Sequence, residues 1–262
     1  MNRNSRVSLM THMIAGYPDD KNDIDIARGL IDGGCGFLEV QFPFSDPSAD
    51  GVPIQNACMR ALEAGFRVEK GFSLIRRIKE ISSIPIFIMS YGGIVFARGV
   101  EGFVDDAAAS GAGGLIIPDL MPGYDEGLYE AGRSRGIDII PVIPPILNEN
   151  RLDKILAQNP TYLYASLRVG ITGSRTEIDK TVLTFLARLR STGKHVLAGF
   201  GIQTREQVTA LSYHADTLIV GSAIVRTISA ALKNDEPVYT AVKNKVRELV
   251  EDNHTGKAKE TQ

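Results

Sequence analysis

Two acidic side chains, Glu39 and Asp50, bracket the segment Glu39-Val-Gln-Phe-Pro-Phe-Ser-Asp-Pro-Ser-Ala-Asp50-Gly51. Glu39 stands in the apolar run Phe37-Leu38-Glu39-Val40, which reads as a buried strand, and Asp50 in the Pro/Ser/Asp/Gly loop that follows. A carboxylate is costly to bury unless it is paired or used. A second acid on the adjoining loop can fold back toward the first, and two carboxyls in contrasting environments suit acid/base chemistry at neutral pH. The plainer alternative is that Glu39 makes a structural ion pair and Asp50 caps a turn.

A second chemical signature lies in three glycine-containing segments, Gly170-Ile-Thr-Gly173, Gly199-Phe-Gly-Ile202 and Gly221-Ser-Ala-Ile224. Glycine lets backbone N–H groups approach an anion with no Cβ in the way. Ser222 would open a short helix whose N-terminus favours a phosphate, and its hydroxyl adds a donor. Ordinary turn chemistry is the competing reading.

The elements that must position these groups alternate strand and helix about eight times. Strands are expected near Leu9 to Ala15, Phe37 to Gln41, Pro85 to Ser90, Gly114 to Ile117, Ile137 to Ile143, Thr161 to Ala165, His195 to Gly199 and Thr217 to Val220. Helical patterns follow at Asp23 to Ile31, Ile54 to Ala64 and Val68 to Ile81, Gly99 to Ala109, Tyr124 to Arg133, Asn148 to Gln158, Ile178 to Arg190 and Thr204 to Leu211. A short helix after Gly221 and a last one, Val238 to Val250, complete the pattern. This predicts an α/β fold, a single (β/α)8 TIM barrel over residues 1–252 with a short extra helix after strand eight. A polar tail, 253–262, is expected to be disordered. In such a barrel, reactive groups sit at the C-terminal ends of the strands, and a phosphate is commonly held after the last of them.

Composition removes several classes of function. The chain has 262 residues and a formal net charge of −2, with no basic block, which argues against nucleic acid. No apolar run is long enough to span a bilayer, and the polar N-terminus carries no signal-peptide pattern, so a cytoplasmic location is expected. The two cysteines match no metal spacing, and the four histidines, at 12, 195, 214 and 254, are scattered. No metal site is therefore expected.

Together these residues resemble the tryptophan synthase alpha subunit family. The segment Pro43-Phe-Ser-Asp-Pro-Ser-Ala-Asp-Gly51 with Ile54-Gln55 is similar to that family's signature. The likeness continues through Ala15-Gly16, Pro118-Asp119, the three glycine segments and Val220-Gly-Ser-Ala-Ile224, covering about Leu9 to Val250. The resemblance implies retro-aldol cleavage of indole-3-glycerol phosphate to indole and glyceraldehyde 3-phosphate. It implies a beta subunit that receives the indole in an alpha2beta2 heterotetramer. Pyridoxal phosphate belongs to that partner, and no cofactor is expected in this chain.

By the same resemblance, Glu39 matches the general acid/base, its burial expected to raise its pKa toward neutrality. Asp50 matches the carboxylate that accepts the indole N–H, and Tyr164 a tyrosine near the ring. Thr172 matches a threonine of a closing loop that pairs with the Asp50 position. Gly173, Gly201, Gly221 and Ser222 match phosphate binders. Phe200 matches an aromatic flanking the indole; for Phe200, Met89 and Ile219, core packing is an equal alternative.

The chain departs from the family pattern at four places. Gln41 replaces a usual glycine on the strand face of Glu39, where it would hydrogen-bond Glu39 or fill substrate space. Gly92-Gly93 replaces a segment that often carries an asparagine used against the beta subunit. His12 stands where a larger apolar or aromatic residue is common, and Leu167 takes the serine place of Ser-Arg-x-Gly. These departures motivate an alternative reading, an alpha subunit of little lyase activity that mainly activates its partner. A Schiff-base aldolase is disfavoured because no lysine ends strand six.

Overall fold

The computed structural model describes residues 7–167, 178–199 and 201–250. Its first half comprises β1 (Ser8–Ile14), α1 (Asp23–Gly33), β2 (Phe37–Gln41), α2 (Val52–Glu63), α3 (Val68–Ile81), β3 (Ile86–Met89), α4 (Gly92–Arg98), α5 (Val100–Ser110), β4 (Gly114–Ile116) and α6 (Leu128–Arg135). The second half comprises β5 (Asp138–Ile139), β6 (Val142–Ile143), α7 (Glu149–Ala157), β7 (Tyr162–Ser166), α8 (Lys180–Arg190), β8 (His195–Gly199), α9 (Arg205–Leu211), β9 (Thr217–Val220), α10 (Ser222–Lys233) and α11 (Val238–Val250).

All strand pairs are parallel, in the order β5-β4-β3-β2-β1-β9-β8-β7-β6. The two outermost pieces, β5 and β6, are consecutive in the chain and separated only by Ile140 and Pro141. Ile140 N–H donates to Leu115 C=O at 2.8 Å on the β4 side, and Tyr164 N–H to Pro141 C=O at 3.0 Å on the β7 side. They are one expected strand, interrupted at a proline that has no N–H to give the ladder. The expected (β/α)8 barrel is thus the observed fold, with its fifth strand in two halves.

Three further expectations change in detail. The helix after strand eight is not short: α10 runs for 12 residues. The helix expected from Gly99 is preceded by α4, which the expected pattern lacks. The helix expected from Tyr124 begins only at Leu128, after a turn in which Asp125 accepts from Gly123 N–H and Tyr129 N–H. The tail 253–262, and the proposed domain limit before it, lie outside the described residues.

Two apolar layers hold the barrel. One lies between sheet and helices, where alternate strand residues such as Leu38, Val40, Ile86 and Ile88 meet Ile26, Leu30, Phe72 and Ile75. Strands covered on both faces are apolar nearly throughout, which is why they read as runs. The ring of helices closes where α1 meets α11: a Cβ on Gly29 would come within 2.5 Å of Tyr239 C=O, so only glycine permits that approach.

The second layer fills the barrel interior with Met10, Phe87, Met89, Tyr91, Ile116, Ile140, Tyr164, Leu197 and Ile219. At the N-terminal end of the strands it becomes an aromatic plug. Phe87 and Tyr162 lie 5.1 Å apart between centroids, and Tyr162 and His195 5.2 Å. At the other end, apolar side chains give way to polar ones.

Candidate active site

The register of β1 on β2 sets His12 directly opposite Glu39 and Ile14 opposite Gln41. Side chains of facing residues in adjacent strands share a face. His12 Nδ1 lies 3.1 Å from Glu39 Oε1, and both residues are buried. Burial opposes charge on His12, yet the neighbouring Glu39 carboxylate outweighs it and raises the imidazole pKa above its usual value. Glu39 Oε2 and His12 Nε2 have no hydrogen-bond partner among the described residues.

Asp50 is brought beside them by the loop after β2. Its N–H donates to Pro47 C=O at 2.9 Å, and its own C=O accepts from Gln55 Nε2 at 2.8 Å, one turn into α2. Gly51 then caps α2, whose first turn carries Pro53, where a missing N–H costs nothing. The Asp50 carboxyl is buried; Oδ2 accepts from Gln41 Nε2 at 2.7 Å and from the Tyr91 hydroxyl at 2.8 Å. Burial raises the Asp50 pKa, while His12 and these two donors pull it down.

Tyr91 fixes the loop as well as the acid. Its hydroxyl accepts from Ala49 N–H at 3.2 Å, and its ring stacks on Phe44 at 5.3 Å. Gln41 therefore serves Asp50: its amide reaches that carboxylate and Cys58 Sγ at 3.4 Å, and is fully buried. The expectation that Gln41 would bond Glu39 or occupy substrate space gives way to this arrangement. His12, one of the four scattered histidines, has its carboxylate partner 27 positions along the chain.

Opposite, Tyr164 approaches the top of β7, buried, with burial raising its hydroxyl pKa. A Cβ on Gly199 would come within 3.0 Å of that hydroxyl, so the glycine makes room for it. Gly221 ends the β9 loop and caps α10; its C=O accepts from Ile224 N–H at 2.8 Å, starting the helix at the buried Ser222. Arg226, one turn on, donates to Ser222 Oγ at 3.4 Å.

One cavity joins these groups. Glu39, Asp50, Tyr164, Gly201, Gly221 and Ser222, all expected from the sequence, line it together. Thr172, Gly173 and Phe200 lie outside the described residues. Met89 and Ile219 line the cavity and also belong to the barrel interior. His12, Ile54, Ile116, Pro118 and Val142 line it too, none of them among the expected site residues. Apart from His12 the rest of the lining, with Ile54, Met89, Ile116, Val142 and Ile219, is mainly apolar, suited to a flat hydrophobic body with an anionic tail. Among the described residues no group of acidic, His and Cys side chains could hold a metal ion.

Known proteins resemble this chain in sequence and in fold. A sequence-family profile for the tryptophan synthase alpha chain matches residues 1–254. The chain is 38% identical to the tryptophan synthase alpha chain of Helicobacter hepaticus over 236 residues, 87% of this chain and 88% of that one. It is 37% identical to that of Methanothermobacter thermautotrophicus, over 87% of this chain and 86% of the relative. In solved structures it resembles a chain of the tryptophan synthase complex of Pyrococcus furiosus, with a TM-score of 0.82 and 31% identity over 94% of this chain and 99% of that one. Mycobacterium tuberculosis tryptophan synthase gives a TM-score of 0.82 at 29% identity, over 92% and 93% of the two chains. The chain belongs to the tryptophan synthase alpha chain family.

Proposed function

We propose that this chain cleaves indole-3-glycerol phosphate to indole and glyceraldehyde 3-phosphate, with Glu39 as general acid/base and Asp50 as the acceptor of the indole N–H. The observation that carries this reading is one cavity lined at once by two buried carboxyls and by the N-terminus of α10. The phosphate binds at Gly221 and Ser222, where the N-terminus of α10 and its helix dipole favour an anion. By the family resemblance Gly173 and Gly201 add donors, Phe200 flanks the ring, and Thr172 closes over Asp50.

The chemistry follows from the charges. Glu39 Oε2, which carries no hydrogen bond among the described residues, delivers a proton to indole C3. That carbon becomes tetrahedral and the ring positive. Asp50, a buried carboxyl whose ionised form is held by Gln41 and Tyr91, gains most when this positive charge develops beside it. Glu39 then takes the proton of the glycerol hydroxyl next to the scissile bond. The O–H electrons form the aldehyde C=O, the C–C bond breaks, and its electron pair restores the neutral aromatic ring. Tyr164 positions the ring from the far wall.

Indole passes to a beta subunit in an alpha2beta2 assembly, which carries the pyridoxal phosphate; the alpha reaction needs no cofactor. No helix among the described residues is long and apolar enough to cross a membrane, and a cytoplasmic location is part of the same reading. The test is indole release from indole-3-glycerol phosphate by the purified chain, alone and with a beta partner. Release in both, faster in the complex, is expected. Release in neither, with the partner still stimulated, would instead make this chain a regulator.

A further inference from the structure

We propose that His12 is a positioning residue for the lyase reaction: it holds one oxygen of Glu39 and so presents the other to the reacting atoms. The proposal rests on the reading of Glu39 as acid/base. It comes from an asymmetry in the carboxyl group. Oε1 lies 3.1 Å from His12 Nδ1, while Oε2 is buried with no hydrogen bond among the described residues. A glutamate has three side-chain torsions, and a carboxyl held at one oxygen by a donor from the next strand loses most of that freedom before substrate arrives.

The place of His12 in the barrel supports the same role. Strand register fixes it opposite Glu39. On its other side a Cβ at Gly221 would stand 3.6 Å from His12 Cβ, so the histidine lies between the acids and the α10 N-terminus. The imidazole lines the cavity itself. An aromatic or aliphatic side chain here would fill the same space and offer Glu39 nothing.

His12 also brings charge to the site. The groups that bear on it are Glu39 from β2 and Asp50 from the following loop. Tyr164 from β7 interacts with both acids, and Tyr91 after β3 with Asp50. The α2 side adds Ile54 and the buried thiol of Cys58, and the α10 side adds Ser222 with Arg226 behind it. Glu39 and Asp50 favour the imidazolium, which makes His12 a charged donor to the carboxyl it holds.

The experiment is steady-state cleavage by the complex with its beta partner from pH 5.5 to 9, for wild type, His12→Phe and His12→Asn. Asparagine keeps an N–H near the Nδ1 position but cannot titrate. His12→Phe should lower kcat about 10- to 100-fold with KM little changed. The basic limb of kcat/KM should be displaced, because the titrating imidazole beside the reacting carboxyl is gone. His12→Asn should recover much of kcat while the limb stays displaced. An unmoved limb with unchanged kcat in His12→Phe overturns the proposal, as does a loss confined to KM or thermal stability. If His12→Phe does not fold, an unmoved limb in His12→Asn overturns it. Glu39→Gln measured alongside separates the two levels: if that variant stays active, the reading of Glu39 fails, whereas its inactivity beside unchanged His12 variants removes only the positioning role.

Discussion

The barrel interior has two ends, and each holds a histidine in a different setting. At the closed end His195 sits in the aromatic plug with Phe37 and Tyr162, and its Nε2 lies 2.9 Å from the neutral Thr217 hydroxyl. Burial lowers its pKa, with Asp216 only partly opposing. At the open end His12 is more deeply buried, yet its pKa is raised, because its partner is a carboxylate. Depth of burial does not decide whether a buried imidazole carries charge; the charge of its partner does. The same contrast separates the two ends chemically. The plug is built mainly from aromatic rings, whereas the opposite end keeps polar atoms with no partner among the described residues, Glu39 Oε2 and His12 Nε2 among them, beside a cavity.

The contrast predicts that the closed end costs stability when cut and the open end costs turnover. Phe87→Ala should destabilise the fold by about 3–5 kcal/mol, as deletion of a buried ring does, seen by denaturant unfolding. The pH profile of cleavage should keep its shape. Asp50→Asn should lower kcat on the order of 100-fold by removing the charge that stabilises the protonated ring, with a far smaller change in unfolding free energy. Tyr91→Phe, which removes one of two donors to Asp50 Oδ2, should lower kcat about tenfold. A larger loss in stability than in turnover for Asp50→Asn would break the comparison.

The smallest expected effect is the sharpest on sign. His195 has a lowered pKa, so its contribution to stability is present above the ordinary value of 6.5 and is lost as pH falls through the lowered one. His195→Phe should therefore lose less stability than wild type between pH 7.5 and 5, with kcat unchanged. His12 has the opposite sign. Its raised pKa gives a contribution that is full below 6.5 and is lost as pH rises through the raised value. The stability gap between wild type and His12→Asn should shrink as pH rises. Parallel shifts in both variants would contradict the assignment of charge.

Much of this architecture was legible because a parallel sheet covered on both faces writes each strand as an apolar run. The break in the fifth strand was also visible in principle, since Pro141 lies inside the run Ile137 to Ile143 and cannot donate to a ladder. The opening of α4 was hidden by Gly92 and Gly93, which have poor helix propensity but sit at its first turn. In the site, Glu39 and Asp50 announced themselves because acids are out of place in an apolar run and its return loop. His12 did not, because its significance depends on the register between β1 and β2, which no local pattern encodes. Gln41 was visible as a departure, but which acid it serves depends on how the loop to Asp50 folds back.

The central claim is that Glu39 carries both proton transfers above a phosphate held at the head of α10. Turnover of indole-3-glycerol phosphate by Glu39→Gln, measured with glycerol 3-phosphate binding to the same preparation, tests it most directly. The account predicts a loss of about 100-fold or more in indole release with phosphate binding retained; turnover close to wild type would contradict it.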